Sequence, residues 1–342
     1  MSSQPSLMSQ EVREIPAAVE RLLTEGGDAI ARATGLARDA DPSYFISVAR
    51  GSSDHAASFL KYTAELVLRR PMASVGPSVN SIYGVELQAG GAVGISVSQS
   101  GKSPDIVRLT EALRRNGALT VAITNDPASP LAGAADATLP IHAGPELSVA
   151  ATKTFVTSLV AGLWFLAELK EDAELRAAIR ALPEALDRAT RLDWSEASGA
   201  MDGRSLFTIG RGPSSAISNE AALKFKETCL IHAESYSSAE VLHGPVSIVG
   251  NDFPVIAFAA ADAAEESLAQ TADALAEKGA RVFAVTNRVG RARALPHLRT
   301  AHWLCDPIPA IVSFYAMVER VALARGIDPD RPRHLNKVTQ TV

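Results

Sequence analysis

The chain has 342 residues, of which 47% are hydrophobic and 21% are charged, and its formal net charge is −5. This length predicts a globular protein of about two domains, at roughly 150 residues per domain. The acidic balance argues against a nucleic-acid-binding or membrane-binding surface, so any anion must be captured locally. The chain shows neither a signal-like opening nor a run near the roughly 18 apolar residues of a membrane span, so we expect a cytoplasmic protein.

In chain order, the pattern predicts five segments. We expect a helical N-terminal segment over residues 1–40, a first α/β domain over 41–170, a charged helical linker over 171–200, a second α/β domain over 201–328, and an extended C-terminal tail over 329–342. The domains are assigned because short Val/Ile-rich runs alternate with helical patterns of about 12 residues, which is typical of βαβ units and mostly parallel sheets covered on both faces.

The two domains are predicted to be copies of one fold. Residues 44–53 are echoed by residues 205–214, at an offset of 161, and each run ends in Arg-Gly-x-Ser. Residues 118–125 are echoed by residues 280–287, at an offset of 162. Two units of one fold are the simplest explanation of this spacing.

A phosphate-binding loop is predicted directly after a buried strand in the first domain. The apolar run 92–97 is followed by the segment 98–105, which reads SQSGKSPD and contains three serines. Ser103 suits a helix N-cap, Pro104 the first helical position, and Asp105 the first turn. Hydroxyls and unpaired amides at such a helix start converge on an anion.

A phosphorylated small molecule fits this loop better than a nucleotide does. Lys102-Ser103 resembles the end of a nucleotide P-loop, but Ser96 stands where that motif requires glycine. An ordinary N-cap and turn is the alternative interpretation. We favour binding, because the positions 161 residues further on are Ala259, Ala260 and Ala261, so the second copy has lost the polar groups.

A second set of candidate residues lies on a predicted helix in the second domain. Glu220, Lys224 and Glu227 are spaced i, i+4 and i+7 and therefore form one stripe. A solvated ion-pair stripe is the alternative to a functional cluster. The loop-like segment that follows is rich in ionisable groups, among them His232 and His243, and loops carry function more often than helix faces do.

The remaining polar residues give three further expectations. Cys229 and Cys305 are far apart in apolar contexts, as buried reduced thiols are. The histidines lack the paired spacing of zinc ligands, so we expect no metal and no cofactor. In the tail, Lys337 is either an ordinary exposed lysine or a lysine that forms a Schiff base with a sugar carbonyl.

Taken together, these motifs resemble the sugar isomerase (SIS) family, in particular the isomerase half of glutamine–fructose-6-phosphate amidotransferase. The resemblance covers almost the whole chain and implies two tandem, doubly wound, flavodoxin-like SIS domains. It is carried by five motifs in family order: SQSG at 98–101, ELSVAATK at 146–153, the stretch 220–227, EVLHGP at 240–245 and PRHLNK at 332–337.

The resemblance also implies residue roles. Glu227 takes the place of the base that moves a proton between C1 and C2, Lys224 that of the cation near the developing enediol oxygen, and His243 that of the group that opens the sugar ring. Lys337 takes the place of the Schiff-base lysine. The residues implied to bind the phosphate of the substrate are Ser52, Ser53, Ser98, Gln99, Ser100 and Ser103. Val149 and Ala151 are implied to line the sugar. Because the family's histidine reaches the site from a neighbouring subunit, a homodimer with shared sites is implied.

The chain departs from the synthase pattern in ways that shape the functional hypothesis. It opens Met1-Ser2 rather than with a glutaminase domain and its N-terminal cysteine, so we expect no hydrolysis of glutamine. Asn336 stands where the synthase has alanine, and Ala151 where it has serine. Stand-alone chains of this kind resemble the second type of glucosamine-6-phosphate deaminase, which interconverts glucosamine 6-phosphate with fructose 6-phosphate and ammonia.

Several alternatives to the deaminase remain open. They are another phosphosugar isomerase, a fructosamine-6-phosphate deglycase, and a synthase that uses ammonia from elsewhere. A non-catalytic sugar-phosphate-binding regulator is an alternative of a different class. It would need only the serines, whereas this chain also has Glu227, His243 and Lys337.

Overall fold

The computed structural model describes residues 5–335 and 337, which fall into two compact α/β units. We call them the N-terminal unit, residues 17–146, 153–180 and 337, and the C-terminal unit, residues 5–16, 147–152 and 181–335.

The N-terminal unit is built on five parallel strands in the order β2-β1-β3-β4-β5. The central strand β3 reads AVGISV and is buried at every position, because helices cover both faces of a parallel sheet. The strands are β1 (Tyr44–Val48), β2 (Met72–Ser74), β3 (Ala92–Val97), β4 (Leu119–Thr124) and β5 (Ala137–Pro140).

Among the described residues, eight helices precede, link or follow these strands, and the first of them begins in the C-terminal unit, to which residues 5–16 belong. Helix α7 (Lys153–Lys170) is buried over almost its whole length, and it packs against α2 and α3. The helices are α1 (Leu7–Glu25), α2 (Gly27–Ala40), α3 (Ser52–Val67), α4 (Ser78–Ser81), α5 (Pro104–Arg115), α6 (Pro130–Ala134), α7 (Lys153–Lys170) and α8 (Ala173–Arg180).

The C-terminal unit repeats the same sheet with strand order β10-β9-β8-β6-β7, again parallel. The strands are β6 (Ser205–Gly210), β7 (His232–Ser237), β8 (Pro254–Phe258), β9 (Arg281–Ala284) and β10 (Arg293–Ala294). Its helices are α9 (Leu182–Ala189), α10 (Ser195–Ala200), α11 (Ser214–Cys229), α12 (Glu265–Glu277) and α13 (Pro307–Ala324), with 3₁₀ turns at Glu240–Leu242, Pro245–Ile248 and Trp303–Cys305.

Counted within each unit, both sheets have the strand order 2-1-3-4-5 of flavodoxin-like folds. The α/β fold class and the tandem repeat are thereby confirmed. The echoed segments occupy matching places, because β1 and β6 each lie between the second and third strands of their sheet, while β4 and β9 are each the fourth.

The N-terminal segment is divided between the two units. Residues 5–16 belong to the C-terminal unit, and the chain enters the N-terminal unit at residue 17. The reason lies in the C-terminal part of the chain, where the Asp330 carboxylate accepts hydrogen bonds from the backbone N–H groups of Leu7 and Met8 at 2.7 and 2.8 Å. These groups are the unpaired donors at the start of α1.

The core of the C-terminal unit contains one strongly apolar helical segment. Residues Trp303–Ala324 are long and apolar enough to cross a membrane, but 78% of the most apolar window is buried inside the protein. Within it, α13 packs against α11 and α9, as a core helix does. Cys229 and Cys305 are both buried and free, as predicted, and burial raises the pKa of the Cys229 thiol to about 11.

Candidate functional site

The predicted phosphate loop lies where the strand order of the N-terminal sheet reverses. Strands β1 and β3 are neighbours there, and Val48 pairs with Ser96, so their carboxyl ends are level. The connection after β1 leads into α3 at Ser52, and the connection after β3 leads into α5 at Pro104. Ligands of open α/β sheets bind in the crevice at such a switch point.

The loop between β3 and α5 is shaped by one glycine. Gly101 has a φ of +62°, which L side chains rarely adopt, and an added Cβ would collide with the side chain of Ser129. Its N–H donates to Ser98 Oγ at 3.2 Å, and the Lys102 N–H donates to Ser100 Oγ at 3.3 Å. The tight turn therefore depends on glycine at this position.

The serines of this region are placed around two helix starts. Ser103 occupies the N-cap of α5 with an extended backbone, yet its hydroxyl makes no capping hydrogen bond. Ser52 and Ser53 lie in the first turn of α3 and are half-buried. Hydroxyls and N–H groups at the starts of helices are suited to binding a phosphate. We call Ser52, Ser53 and residues 98–103 the phosphate cradle.

The acidic residues beside the cradle have compensating partners. The Asp105 carboxylate is fully buried and accepts a hydrogen bond from Arg50 Nε at 2.6 Å. Burial raises the pKa of Asp54, although the positive charges of His55 and Arg50 oppose the shift. Arg50, at the end of β1, therefore offsets negative charge that would oppose a bound phosphate.

The C-terminal unit fills the matching position with its own carboxylate. The Ala261 N–H donates to Asp306 Oδ2 at 2.9 Å, and the Thr300 N–H donates to Oδ1 at 2.7 Å. Arg299 Nη1 donates to the carbonyl oxygen of Ala259 at 2.9 Å. This switch point thus holds an internal anion where the N-terminal unit has the cradle.

The predicted charged stripe on α11 is a buried ion cluster. The side chains of Glu220 and Lys224 are 0% and 1% exposed, whereas that of Glu227 is 20% exposed. Lys224 Nζ lies 3.3 Å from Glu220 Oε1 and 2.5 Å from Glu227 Oε2. Tyr315 on α13 donates its O–H to Glu220 Oε1 at 3.1 Å. The interpretation as a solvated surface stripe is therefore wrong.

The electrostatics of this cluster keep Lys224 charged. Burial alone lowers the pKa of Lys224, but the carboxylates of Glu220 and Glu227 outweigh it and raise the pKa above its ordinary value of 10.5. An ammonium held by two carboxylates can stabilise a developing oxyanion. Glu227, as the member that solvent reaches, is the carboxylate able to exchange a proton with a bound molecule.

The loop between β5 and α7 is held by an acidic residue of α1. The carboxylate of Glu11, which is 4% exposed, accepts hydrogen bonds from the N–H groups of Leu147 and Ser148. Val149 and Ala151, the two residues expected to line the sugar, follow in this loop and are half-buried. Glu11 therefore holds the loop that carries Val149 and Ala151, a contact that spans more than 130 residues and that the sequence pattern did not predict.

His243 and Lys337 lie in different surroundings. His243 is exposed and follows the 3₁₀ turn Glu240–Leu242. Among the described residues, no hydrogen bond joins it to Glu227 or Lys224. Lys337 is 25% exposed, and its Nζ lies 2.8 Å from the buried carboxylate of Glu146 in the same unit.

The structure therefore brings some of the predicted site residues together and shows partners of these residues that were not predicted. The cradle serines gather at one switch point, and Lys224 and Glu227 share one helix face. Asn336 lies outside the described residues. Glu146 and Tyr315 were missed as partners, since Tyr315 is 95 residues from Glu220 and Glu146 is 191 from Lys337. Residues 5–335 and 337 contain no group of three or more metal-ligating side chains.

Comparison with known proteins identifies relatives along the whole chain. The SIS domain model matches residues 42–168 and 201–322. The glutamine–fructose-6-phosphate aminotransferase of Aeropyrum pernix is 32% identical over 97% of this chain, and that of Thermococcus kodakarensis is 30% identical over 97%. These matches cover 57% and 58% of the two relatives, so the chain spans little more than half their length.

Solved structures agree with this assignment. A proposed phosphosugar isomerase from Silicibacter pomeroyi DSS-3 is 61% identical, with a TM-score of 0.92, and the match covers 95% of this chain and 100% of that one. The C-terminal domain of a glucosamine-fructose-6-phosphate aminotransferase from Francisella tularensis is 27% identical, with a TM-score of 0.84, over 96% of this chain and 99% of that one. A glucosamine-6-phosphate deaminase from Thermotoga maritima shares the fold at 20% identity and a TM-score of 0.79, over 98% of this chain and 100% of that one.

Proposed function

Because the chain belongs to the SIS domain family, we propose that it is a phosphosugar isomerase that converts glucosamine 6-phosphate to fructose 6-phosphate and ammonia. The observation that carries the proposal is the buried cluster on α11, in which Lys224 is held between Glu220 and the partly exposed Glu227. Binding of a sugar phosphate does not require a partly exposed carboxylate beside a buried ammonium, whereas proton transfer through an enediol uses both, and perturbed ionisable groups concentrate at catalytic sites.

Substrate binding is assigned to the phosphate cradle. Its hydroxyls lie at the starts of α3 and α5, and Ser103 keeps its hydroxyl off the helix. The positive charge of Arg50 offsets the negative charge of the buried Asp105 carboxylate beside the cradle. A sugar bearing a terminal phosphate is therefore the substrate class that these groups support.

The chemical steps follow from the remaining groups. Once the ring is open, Glu227 removes the proton from C2 of the amino sugar and delivers it to C1, while the Lys224 ammonium stabilises negative charge on the sugar oxygen in between. The C2 imine that results is hydrolysed to the ketone with loss of ammonia. His243 is proposed as the acid–base group of ring opening, contributed from a neighbouring subunit of a homodimer.

The proposed direction, release of ammonia, needs no reactant other than the amino sugar phosphate and water. Ring opening, C1–C2 proton transfer and imine hydrolysis are enough to turn glucosamine 6-phosphate into fructose 6-phosphate and ammonia. Synthesis in the opposite direction, as named for the aminotransferase relatives, needs an ammonia donor in addition.

A substrate panel tests the proposal. Purified protein is given glucosamine 6-phosphate, galactosamine 6-phosphate, N-acetylglucosamine 6-phosphate or a fructosamine 6-phosphate, and ammonia and fructose 6-phosphate are measured together. We expect equal amounts of both products from glucosamine 6-phosphate. Turnover of the fructosamine 6-phosphate alone would identify the protein as a deglycase rather than a deaminase. If none of the four substrates is turned over, the proposal is wrong.

A further inference from the structure

Glu146 is a buried carboxylate that the proposed reaction has not yet used. Its side chain is fully buried, and it is fixed at the start of α7 by Thr154, whose N–H and Oγ1 donate to the two carboxylate oxygens at 3.1 and 2.7 Å. The positive end of a helix favours negative charge at this place. Glu146 is thus an anion held in one position.

The same carboxylate holds the lysine of the C-terminal tail. Lys337 Nζ donates to Glu146 Oε2 at 2.8 Å, and both residues belong to the N-terminal unit. The two ends of this ion pair differ in exposure, because Glu146 is fully buried whereas the Lys337 side chain is 25% exposed. A small molecule can therefore reach the amine while the carboxylate stays behind it.

We propose that Glu146 fixes Lys337 for attack on the opened sugar and accepts the proton that its ammonium must lose. The inference rests on the proposed function and adds to it an imine between Lys337 and the carbonyl of the open-chain sugar, the role that the family resemblance implies for this lysine. An ammonium has no lone pair, so the amine has to be deprotonated before it becomes a nucleophile. Glu146 Oε2 lies 2.8 Å from Lys337 Nζ, within the hydrogen-bond reach that a general base needs.

The proposed step is balanced in atoms and charge. One proton passes from the Lys337 ammonium to the Glu146 carboxylate. The neutral amine then forms a bond to the carbonyl carbon, and the carbonyl oxygen leaves as water with the two remaining amine hydrogens. The proton on Glu146 can pass to the imine nitrogen, which restores the carboxylate and gives the iminium.

Trapping of the imine with borohydride tests this step. Borohydride reduces an imine to a stable amine, so mass spectrometry of the Lys337 peptide reports how fast the adduct forms with fructose 6-phosphate. We expect Glu146→Gln, which keeps the size and hydrogen-bonding oxygen but not the proton acceptor, to slow adduct formation by about 100-fold or more. Glu146→Asp, which restores the charge, should recover part of the rate.

Two further variants separate this role from a structural one. Thr154→Val removes a hydroxyl that anchors Glu146 without touching Lys337, and we expect a smaller reduction in trapping. Glu65→Gln removes a carboxylate from a half-buried pair with Lys61 in the same unit, and this variant should form the adduct at the wild-type rate. In each variant, the rise in melting temperature caused by fructose 6-phosphate should persist, because the cradle is unchanged.

The outcomes distinguish this inference from the proposed function. If wild-type protein and Glu146→Gln form the Lys337 adduct equally fast, Glu146 has no part in the step and the inference fails alone. If Glu146→Gln does not fold, wild-type rates in Thr154→Val contradict the inference. If the wild type forms no adduct at Lys337, that result contradicts both the imine and the role of Glu146. The proposed function is then tested separately by the measurement of ammonia release.

Discussion

Lys224 Nζ lies 2.5 Å from Oε2 of Glu227, which follows one turn further along α11. The Lys224 side chain is buried, whereas that of Glu227 is 20% exposed. Glu220 holds the other side of the same ammonium at 3.3 Å. This arrangement fixes the charge of Lys224 through Glu220 and leaves Glu227 available to a substrate. It also makes the cluster a strong determinant of stability.

We predict that Lys224→Met destabilises the protein by about 3–5 kcal/mol, because it removes the cation that neutralises the buried carboxylate of Glu220. Urea denaturation measures this loss. The matched control is Lys61→Met, which breaks a half-buried, solvent-accessible pair with Glu65 and should cost about 1 kcal/mol or less. Adding Glu220→Gln to Lys224→Met should restore part of the stability, and wild-type stability of Lys224→Met would contradict the buried cluster.

The pH dependence of stability should report the charge of Lys224. Its folded-state pKa is raised above 10.5, the value expected in the unfolded chain, so the stabilisation is fully present below that pH and is lost as pH rises toward the folded-state pKa. The stability difference between wild type and Lys224→Met, measured from about pH 9 to about pH 11.5, should therefore be constant at first and then shrink. A difference that grows with pH would contradict this assignment.

We predict that Gly101→Ala weakens phosphate binding and destabilises the N-terminal unit, because a Cβ at φ +62° collides with Ser129. Binding is measured by calorimetry with fructose 6-phosphate. The matched control is Gly35→Ala, in the interior of α2, where an added Cβ meets nothing within 4 Å. That substitution should stabilise the protein by about 0.5–1 kcal/mol, since glycine weakens helix interiors.

Alanine substitutions of two serines at helix starts should have opposite effects, one on sugar-phosphate binding and the other on stability. Ser103 makes no capping hydrogen bond, so Ser103→Ala should leave stability nearly unchanged and weaken sugar-phosphate binding by about 1–3 kcal/mol. Ser129 caps α6 by accepting a hydrogen bond from the Ala132 N–H, so Ser129→Ala should cost about 0.5–2 kcal/mol of stability. Comparison of unfolding and binding free energies for both variants decides this, and an unchanged affinity of Ser103→Ala would remove Ser103 from the cradle.

Much of the fold could be predicted from local pattern. The apolar run 92–97 is β3 residue for residue, and α5 begins at Pro104, the residue predicted to be its first. The echo of residues 44–53 in 205–214 placed two equivalent strands, because the repeat preserves strand and turn chemistry together. Short edge strands such as β2 and β10 carry too few residues to show a period.

The parts that could not be predicted depend on contacts far apart in sequence. The burial of Glu220 and Lys224 is set by α13, through Tyr315, whereas their spacing alone also fits an exposed stripe. The carboxylate of Asp306 fills the second switch point from 45 residues beyond Ala261. Glu146 was visible in the sequence as part of a motif, but its contact with Lys337 spans 191 residues.

The comparison of Glu227→Gln with wild type tests the central claim most directly. Turnover of glucosamine 6-phosphate and the dissociation constant of fructose 6-phosphate are measured for both proteins. We expect kcat to fall by about 10²- to 10⁴-fold, as for loss of an acid–base group, with the dissociation constant little changed, because Glu220 still holds Lys224. Wild-type turnover by Glu227→Gln, or loss of binding with no change in kcat, would contradict the account.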